Sequence, residues 1–128
     1  MDRRPPTTAR NGNLISTALD AALFYGGLLR GQIASPGQLP AMFSAVHPRP
    51  NGLASYGMGV WLSGDFYPCG SFVGHDGSGP GYLVTAQSRV DGSRQFAVLT
   101  NNLAPGDVAG DDRAQRAFKE LVFAAACE

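Results

Sequence analysis

A single lysine, Lys119, stands against nine arginines, so chemistry that calls for a lysine elsewhere in the 128 residues has none to use. Lysine and arginine together number 10, as do aspartate and glutamate, which leaves no net charge and no broad positive field to recruit nucleic acid or anionic lipid. No apolar run approaches the ~20 residues needed to cross a bilayer. The start, Met1-Asp2-Arg3-Arg4-Pro5-Pro6, leads into polar sequence and not into a signal peptide, so neither a transmembrane segment nor an export signal is expected. The two cysteines, Cys69 and Cys127, cannot complete a four-ligand zinc site; on residue type alone they are one disulfide or two buried thiols. No metal and no cofactor is expected.

The chain is well supplied with apolar residues, 44% against 16% charged, enough to bury a core and outside the signature of disorder. Residues 1–13, with Pro5, Pro6, Asn11, Gly12 and Asn13, have no apolar period and read as a flexible lead-in to a single domain over 14–128. Thr17 with Asp20 three residues on resembles a capping box, and Leu19, Ala22, Leu23, Gly26 and Leu29 keep helical spacing up to Gly31. Ser35-Pro36 with Gln38 starts a second, short helix carrying Leu39, Met42, Phe43 and Val46 on one face, which Pro48 and Pro50 end.

The texture then turns to β, with strands expected over 56–62, 71–75, 82–90 and 95–100. Asp91-Gly92 signals a hairpin turn, because both residue types tolerate positive φ. A closing helix over 111–126 has acids in its first turn and Ala114, Ala117, Phe118, Leu121 and Ala125 along one face. Helices, then antiparallel strands, then one helix packed on the sheet make an α+β arrangement.

The chemistry concentrates in Gly74-His75-Asp76-Gly77-Ser78-Gly79-Pro80-Gly81-Tyr82, where glycines surround a histidine and an aspartate. Such glycine density lets another backbone or a ligand come close, though it also describes an ordinary turn with a structural histidine. The order of a helix opening on Ser-Thr, then Tyr56-Gly57-Met58-Gly59, then this tract, then a hairpin ending Val98-Leu99-Thr100-Asn101-Asn102 resembles the C-terminal part of serine β-lactamase-related enzymes. The likeness is to exported D-alanyl-D-alanine carboxypeptidases above all and runs over 14–127. It implies a partial β-lactamase/transpeptidase-like fold, the C-terminal third of the family's domain.

The resemblance makes His75-Asp76-Gly77 the counterpart of the family's Lys-Thr-Gly or His-Thr-Gly motif on a strand edging the cleft. His75 is then the catalytic imidazole that supplies a proton or positive charge, and the backbone N–H of Ser78 one half of an oxyanion hole. Gly77 lets an extended substrate lie beside the strand. Asp76 stands where many members carry Thr or Ser, and Trp61 where some carboxypeptidases carry a basic residue. An aspartate repels a substrate carboxylate, so an esterase or amidase parent stays open beside the carboxypeptidase. Strand alternation also leaves open that Asp76 faces away from His75. Trp61 is equally a core residue, Tyr82 lines the cleft or packs under the turn, and His47 reads as an exposed loop residue.

The family's Ser-x-x-Lys nucleophile and its Tyr-x-Asn or Ser-x-Asn motif are both absent, since Arg116 precedes Lys119 by three and no Tyr or Ser has Asn two residues on. The chain is therefore expected to be inactive alone. A small peptide, β-lactam or ester substrate is expected only if missing N-terminal sequence or a companion chain completes the site. A non-catalytic peptidoglycan-peptide-binding module is the alternative, and a bare sheet edge invites self-association. By resemblance, Cys69 and Cys127 take the place of a disulfide, and the parent is an envelope or secreted protein.

Overall fold

The computed structural model describes residues 14–44, 47–48, 55–79, 82–101 and 112–128. Helices α1 (Ala18–Leu29) and α2 (Leu39–Phe43) come first. Strands β1 (His47–Pro48), β2 (Ser55–Tyr56), β3 (Trp61–Leu62), β4 (Phe72–Gly79), β5 (Tyr82–Arg89) and β6 (Gln95–Thr100) follow, and α3 (Asp112–Cys127) closes the chain. The six strands form one antiparallel sheet in chain order, so the α+β expectation with a helix on the sheet holds. The lead-in 1–13, Val46 and the Pro80-Gly81 turn lie outside the described residues.

Successive residues of β4 feed opposite faces, as the pleat requires. Phe72 joins Tyr67, Phe96, Val98, Val122 and Ala126 in the core beneath α3. Val73 joins Leu28 and Val60 in the core on the α1 side, with Tyr25, Leu39, Met42 and Phe43 packed against it.

Several elements differ from the sequence expectation. Thr17 does cap α1, its Oγ1 accepting from the Asp20 amide at 3.1 Å. The helix nonetheless turns Gly26, Gly27 and Leu28 inward and leaves Leu19 67% and Leu23 53% exposed. It is apolar almost all round, so residue spacing does not select its inner face. Ser35 and Gln38 do form the expected pair, with the Ser35 amide donating to Gln38 Oε1 at 3.1 Å, but the helix itself begins only at Leu39 and has five residues. Of the expected α3 face Phe118 and Ala125 do pack against the core, but its buried centre is Val122 and Ala126, and Leu121 is 56% exposed.

The expected strand over 56–62 is instead a hairpin, β2 and β3 pairing Tyr56 with Trp61 around a turn closed by the Gly57 amide on the Val60 carbonyl at 2.8 Å. Gly59, at φ +74°, makes the reversal possible. The expected strand over 71–75 runs on through the glycine tract as far as Gly79, because β5 pairs with it residue by residue to Gly79↔Tyr82. The hairpin between β5 and β6 stands, but of Asp91 and Gly92 only Gly92 takes positive φ, +72°. Asp91 instead accepts the Ser93 amide at 2.9 Å through Oδ1, a local Asx contact.

Candidate active-site wall

Strand β3 pairs with β4 only at Leu62↔Val73 and Trp61↔Gly74. From His75 to Gly79 the ladder described for β4 is with β5 alone, so its other edge faces outward just where the glycine tract begins. Two glycines set this geometry. A Cβ on Gly74 would lie 2.1 Å from the Ala86 carbonyl oxygen and 2.6 Å from Gln87 Cα, so only glycine lets the two backbones approach this closely. A Cβ on Gly57 would lie 2.3 Å from the Met42 carbonyl oxygen, which also accepts the Met58 amide at 2.8 Å. That contact seats the β2–β3 hairpin on α2 and carries Tyr56 and Trp61 to the end of the β3–β4 ladder.

There Tyr56, Trp61 and His75 come together. The Tyr56 hydroxyl lies 3.0 Å from His75 Nε2. The two rings meet edge to face with centroids 5.5 Å apart, and Tyr56 meets Trp61 in the same way at 4.8 Å. On its other side the imidazole sets Nδ1 against the Asp76 carbonyl oxygen. A carbonyl only accepts, so Nδ1 carries hydrogen, and in the neutral ring Nε2 is left to accept from the phenol. The pair can hold a proton at Nε2 or pass one between that nitrogen and the phenolic oxygen.

The remaining sequence-stated residues are placed less uniformly. Ser78 is exposed on the open edge, three residues after His75, with Asp76 and Gly77 between them. Gly77 also has a packing reason, since a Cβ there would lie 2.8 Å from Val84 Cγ1. Asp76 does not join His75: alternation sends it to the α3 face, where it borders a cavity of about 320 Å³ with Tyr67, Thr85, Phe118, Lys119 and Val122. Trp61, half-buried, touches both places, lining that cavity and lying 6.2 Å from the His75 ring. Tyr82 is 65% exposed and His47 is exposed on β1, so neither packs inside.

Two tyrosines that the sequence did not single out carry perturbed hydroxyls. Burial, with Asp76 and then Tyr56 adding to it, pushes Tyr25 up to about 12. Burial likewise pushes Tyr67 up to about 12, with Asp76 adding and a hydrogen bond with Gln87 opposing. Tyr56 itself had a visible signal, the first position of Tyr-Gly-Met-Gly, but its meeting with His75 follows from a hairpin that the alternation pattern hid. Among the described residues no three His, Cys, Asp or Glu side chains gather as a metal site, and no helix is long and apolar enough to cross a membrane. Cys69 and Cys127 are joined as a disulfide, which ties the segment before β4 to the end of α3.

No protein-family model matches the sequence, and no curated protein does. Solved structures do. A D-stereospecific amidohydrolase from Streptomyces sp. is 27% identical with a TM-score of 0.64, over 82% of this chain and 29% of that one. The D-amino acid amidase from Ochrobactrum anthropi SV3 complexed with D-phenylalanine is 23% identical with a TM-score of 0.66, over 88% of this chain and 36% of that one. The same amidase complexed with L-phenylalanine amide gives 24% and 0.55, over 84% and 34%.

The chain spans about a third of the length of these structures. Its fold is part of one shared with these D-stereospecific amidohydrolase and D-amino acid amidase structures. These structures are a D-stereospecific amidohydrolase and a D-amino acid amidase, so they support the broader amidohydrolase likeness and do not bear on the carboxypeptidases in particular.

Proposed function

We propose that this chain, as one partial domain over 14–128, forms the strand wall of the active site of a D-stereospecific serine amidohydrolase. The nucleophile in this reading comes from polypeptide outside the 128 residues, in the same gene or on a companion chain. The observation that carries the reading is the Tyr56–His75 pair, with its 3.0 Å contact, at the point where the outer edge of β4 opens.

In this reading His75 supplies the proton that the leaving amine takes up as the C–N bond breaks, and the Ser78 backbone N–H stabilises the oxyanion of the tetrahedral intermediate. Gly77 admits the extended acyl portion along the open edge, and Trp61 bounds its far end. Asp76 offers no hydroxyl where many family members use Thr or Ser to hold a substrate carboxylate, which favours the amidase over the carboxypeptidase. The disulfide suits an oxidising compartment such as the envelope or the exterior.

The test is complementation. The purified chain alone is expected to release no ammonia from D-phenylalanine amide. Mixed with a polypeptide bearing the Ser-x-x-Lys and Tyr-x-Asn motifs of such an amidase, it is expected to give turnover that favours D over L and is lost in His75→Ala. Serine-reagent-sensitive turnover by the chain alone would overturn the assignment of the nucleophile elsewhere. Hydrolysis of D-alanyl-D-alanine peptides in place of amides would return the reading to a carboxypeptidase. Peptidoglycan-peptide binding without turnover, whatever the complement, would make the chain a binding module.

A further inference from the structure

We propose that Tyr56 is the positioning residue for His75, its hydroxyl holding the ring in the orientation that lets the Asp76 carbonyl keep the proton on Nδ1. The catalytic meaning of this rests on the amidohydrolase reading, while the tautomer itself does not. Both nitrogens of the imidazole have fixed partners of opposite character. Nδ1 faces the Asp76 carbonyl, which can only accept, and Nε2 lies 3.0 Å from the Tyr56 hydroxyl, which can donate. The neutral ring is therefore held as the Nδ1–H tautomer, with Nε2 basic and aimed at the phenol.

Tyr56 is itself held. It meets Trp61 edge to face at 4.8 Å, and its hairpin is anchored on α2 through the Met58 amide and the Met42 carbonyl at 2.8 Å. A flip of the imidazole about its outer bond would exchange the two ring edges and lose both contacts. When the ring takes up one proton, it enters at Nε2, and the resulting N–H donates to the phenolic oxygen, which keeps its own hydrogen. Tyr56 thus serves both charge states of His75 without moving, its hydroxyl able to donate or to accept.

The measurement is long-range nitrogen–proton NMR of the histidine rings in the intact 128-residue chain at about pH 9, above the range where imidazole ordinarily titrates. Resonances of the two histidines are assigned with His75→Ala, and a short unstructured histidine peptide gives the reference mixture. His75 is expected to be nearly all Nδ1–H. Tyr56→Phe, which keeps the ring against Trp61 and removes only the hydroxyl, is expected to lose that dominance and return His75 to the reference mixture with the backbone amide spectrum otherwise unchanged. Reference-like or Nε2–H-dominated His75 in the unmodified chain would overturn the proposal, as would a Tyr56→Phe chain that keeps Nδ1–H. Should Tyr56→Phe fail to fold, the unmodified chain decides alone. Because no turnover is read, failed complementation would leave this result standing, and a wrong tautomer would leave the amidohydrolase reading intact.

Discussion

Residue 74 shows how unequal the glycines of one tract are. A methyl group there meets the Ala86 carbonyl oxygen at 2.1 Å and Gln87 Cα at 2.6 Å, both backbone atoms of the strand it pairs with, and neither can turn aside. Gly74→Ala is expected to lower the unfolding free energy by at least about 2 kcal/mol, whereas Gly79→Ala, with open space around the new atom, stays within about 0.5 kcal/mol. Urea unfolding of both variants checks the contrast, and equal effects would contradict the register of β4 on β5. The sequence showed that glycine was dense here but not which glycines a ladder makes obligatory, because that depends on the facing strand. Tyr67 adds a residue-scale pH effect. Its hydroxyl is pushed from an ordinary 10 up to about 12, chiefly by burial, so between those values the unfolded chain releases a proton that the folded chain retains. Stability then falls as pH rises through this window. The urea midpoint is expected to drop from about pH 10 toward about pH 12, and Tyr67→Phe to make that slope shallower.

At the scale of elements, end signals proved more legible than faces. Thr17-x-x-Asp20 was readable because a cap is a local contract between a side chain and an amide three residues on, and the structure honours it with both partners, Thr17 Oγ1 also donating to Asp20 Oδ2 at 2.9 Å. Thr17→Ala is expected to cost about 1 kcal/mol, read as a shift of the thermal midpoint, with Thr17→Ser recovering most of it. The inner face of α1 was not readable, since Leu19, Leu23 and Phe24 are as apolar as Leu28 yet remain largely exposed. Only the position of the helix over β5 and β6 selects Gly26, Gly27 and Leu28 for burial. The hairpin of β2 and β3 was hidden for a related reason. Residues 56–62 keep an alternating, β-rich composition, and the turn depends on Gly57 meeting the Met42 carbonyl of a helix that precedes it. That tertiary contact placed Tyr56 beside His75, so the most informative pair of the candidate site escaped a reading that had found each residue separately.

At the scale of the whole molecule, one covalent bond closes what the sheet alone leaves loose. The sequence permitted either two thiols or one bridge; the fold decides by bringing Cys69 and Cys127, 58 residues apart, to a Cα separation of 5.5 Å. The bridge fastens the last turn of α3 next to the Tyr67–Phe72 end of the α3-side core, while the middle turns of that helix are held by Phe118 and Val122 against the same cluster. Closing a loop of that size in the unfolded chain removes entropy equivalent to about 4 kcal/mol, unless unfolded-state structure or native strain reduces it. At the other end of the sheet β6 packs Phe96 and Val98 under α3, yet it is the outermost strand described, and its sequence, Gln-Phe-Ala-Val-Leu-Thr, carries neither charge nor proline to discourage pairing. Reduction is therefore expected to act on α3 first. In dithiothreitol the unfolding free energy falls by up to about 4 kcal/mol, and hydrogen exchange rises in 118–127 before it rises in β5, which is paired on both sides. Uniform loss of protection across β5 and α3 together would instead mean that the helix and sheet open as one cooperative unit, with the disulfide acting only on the denatured ensemble.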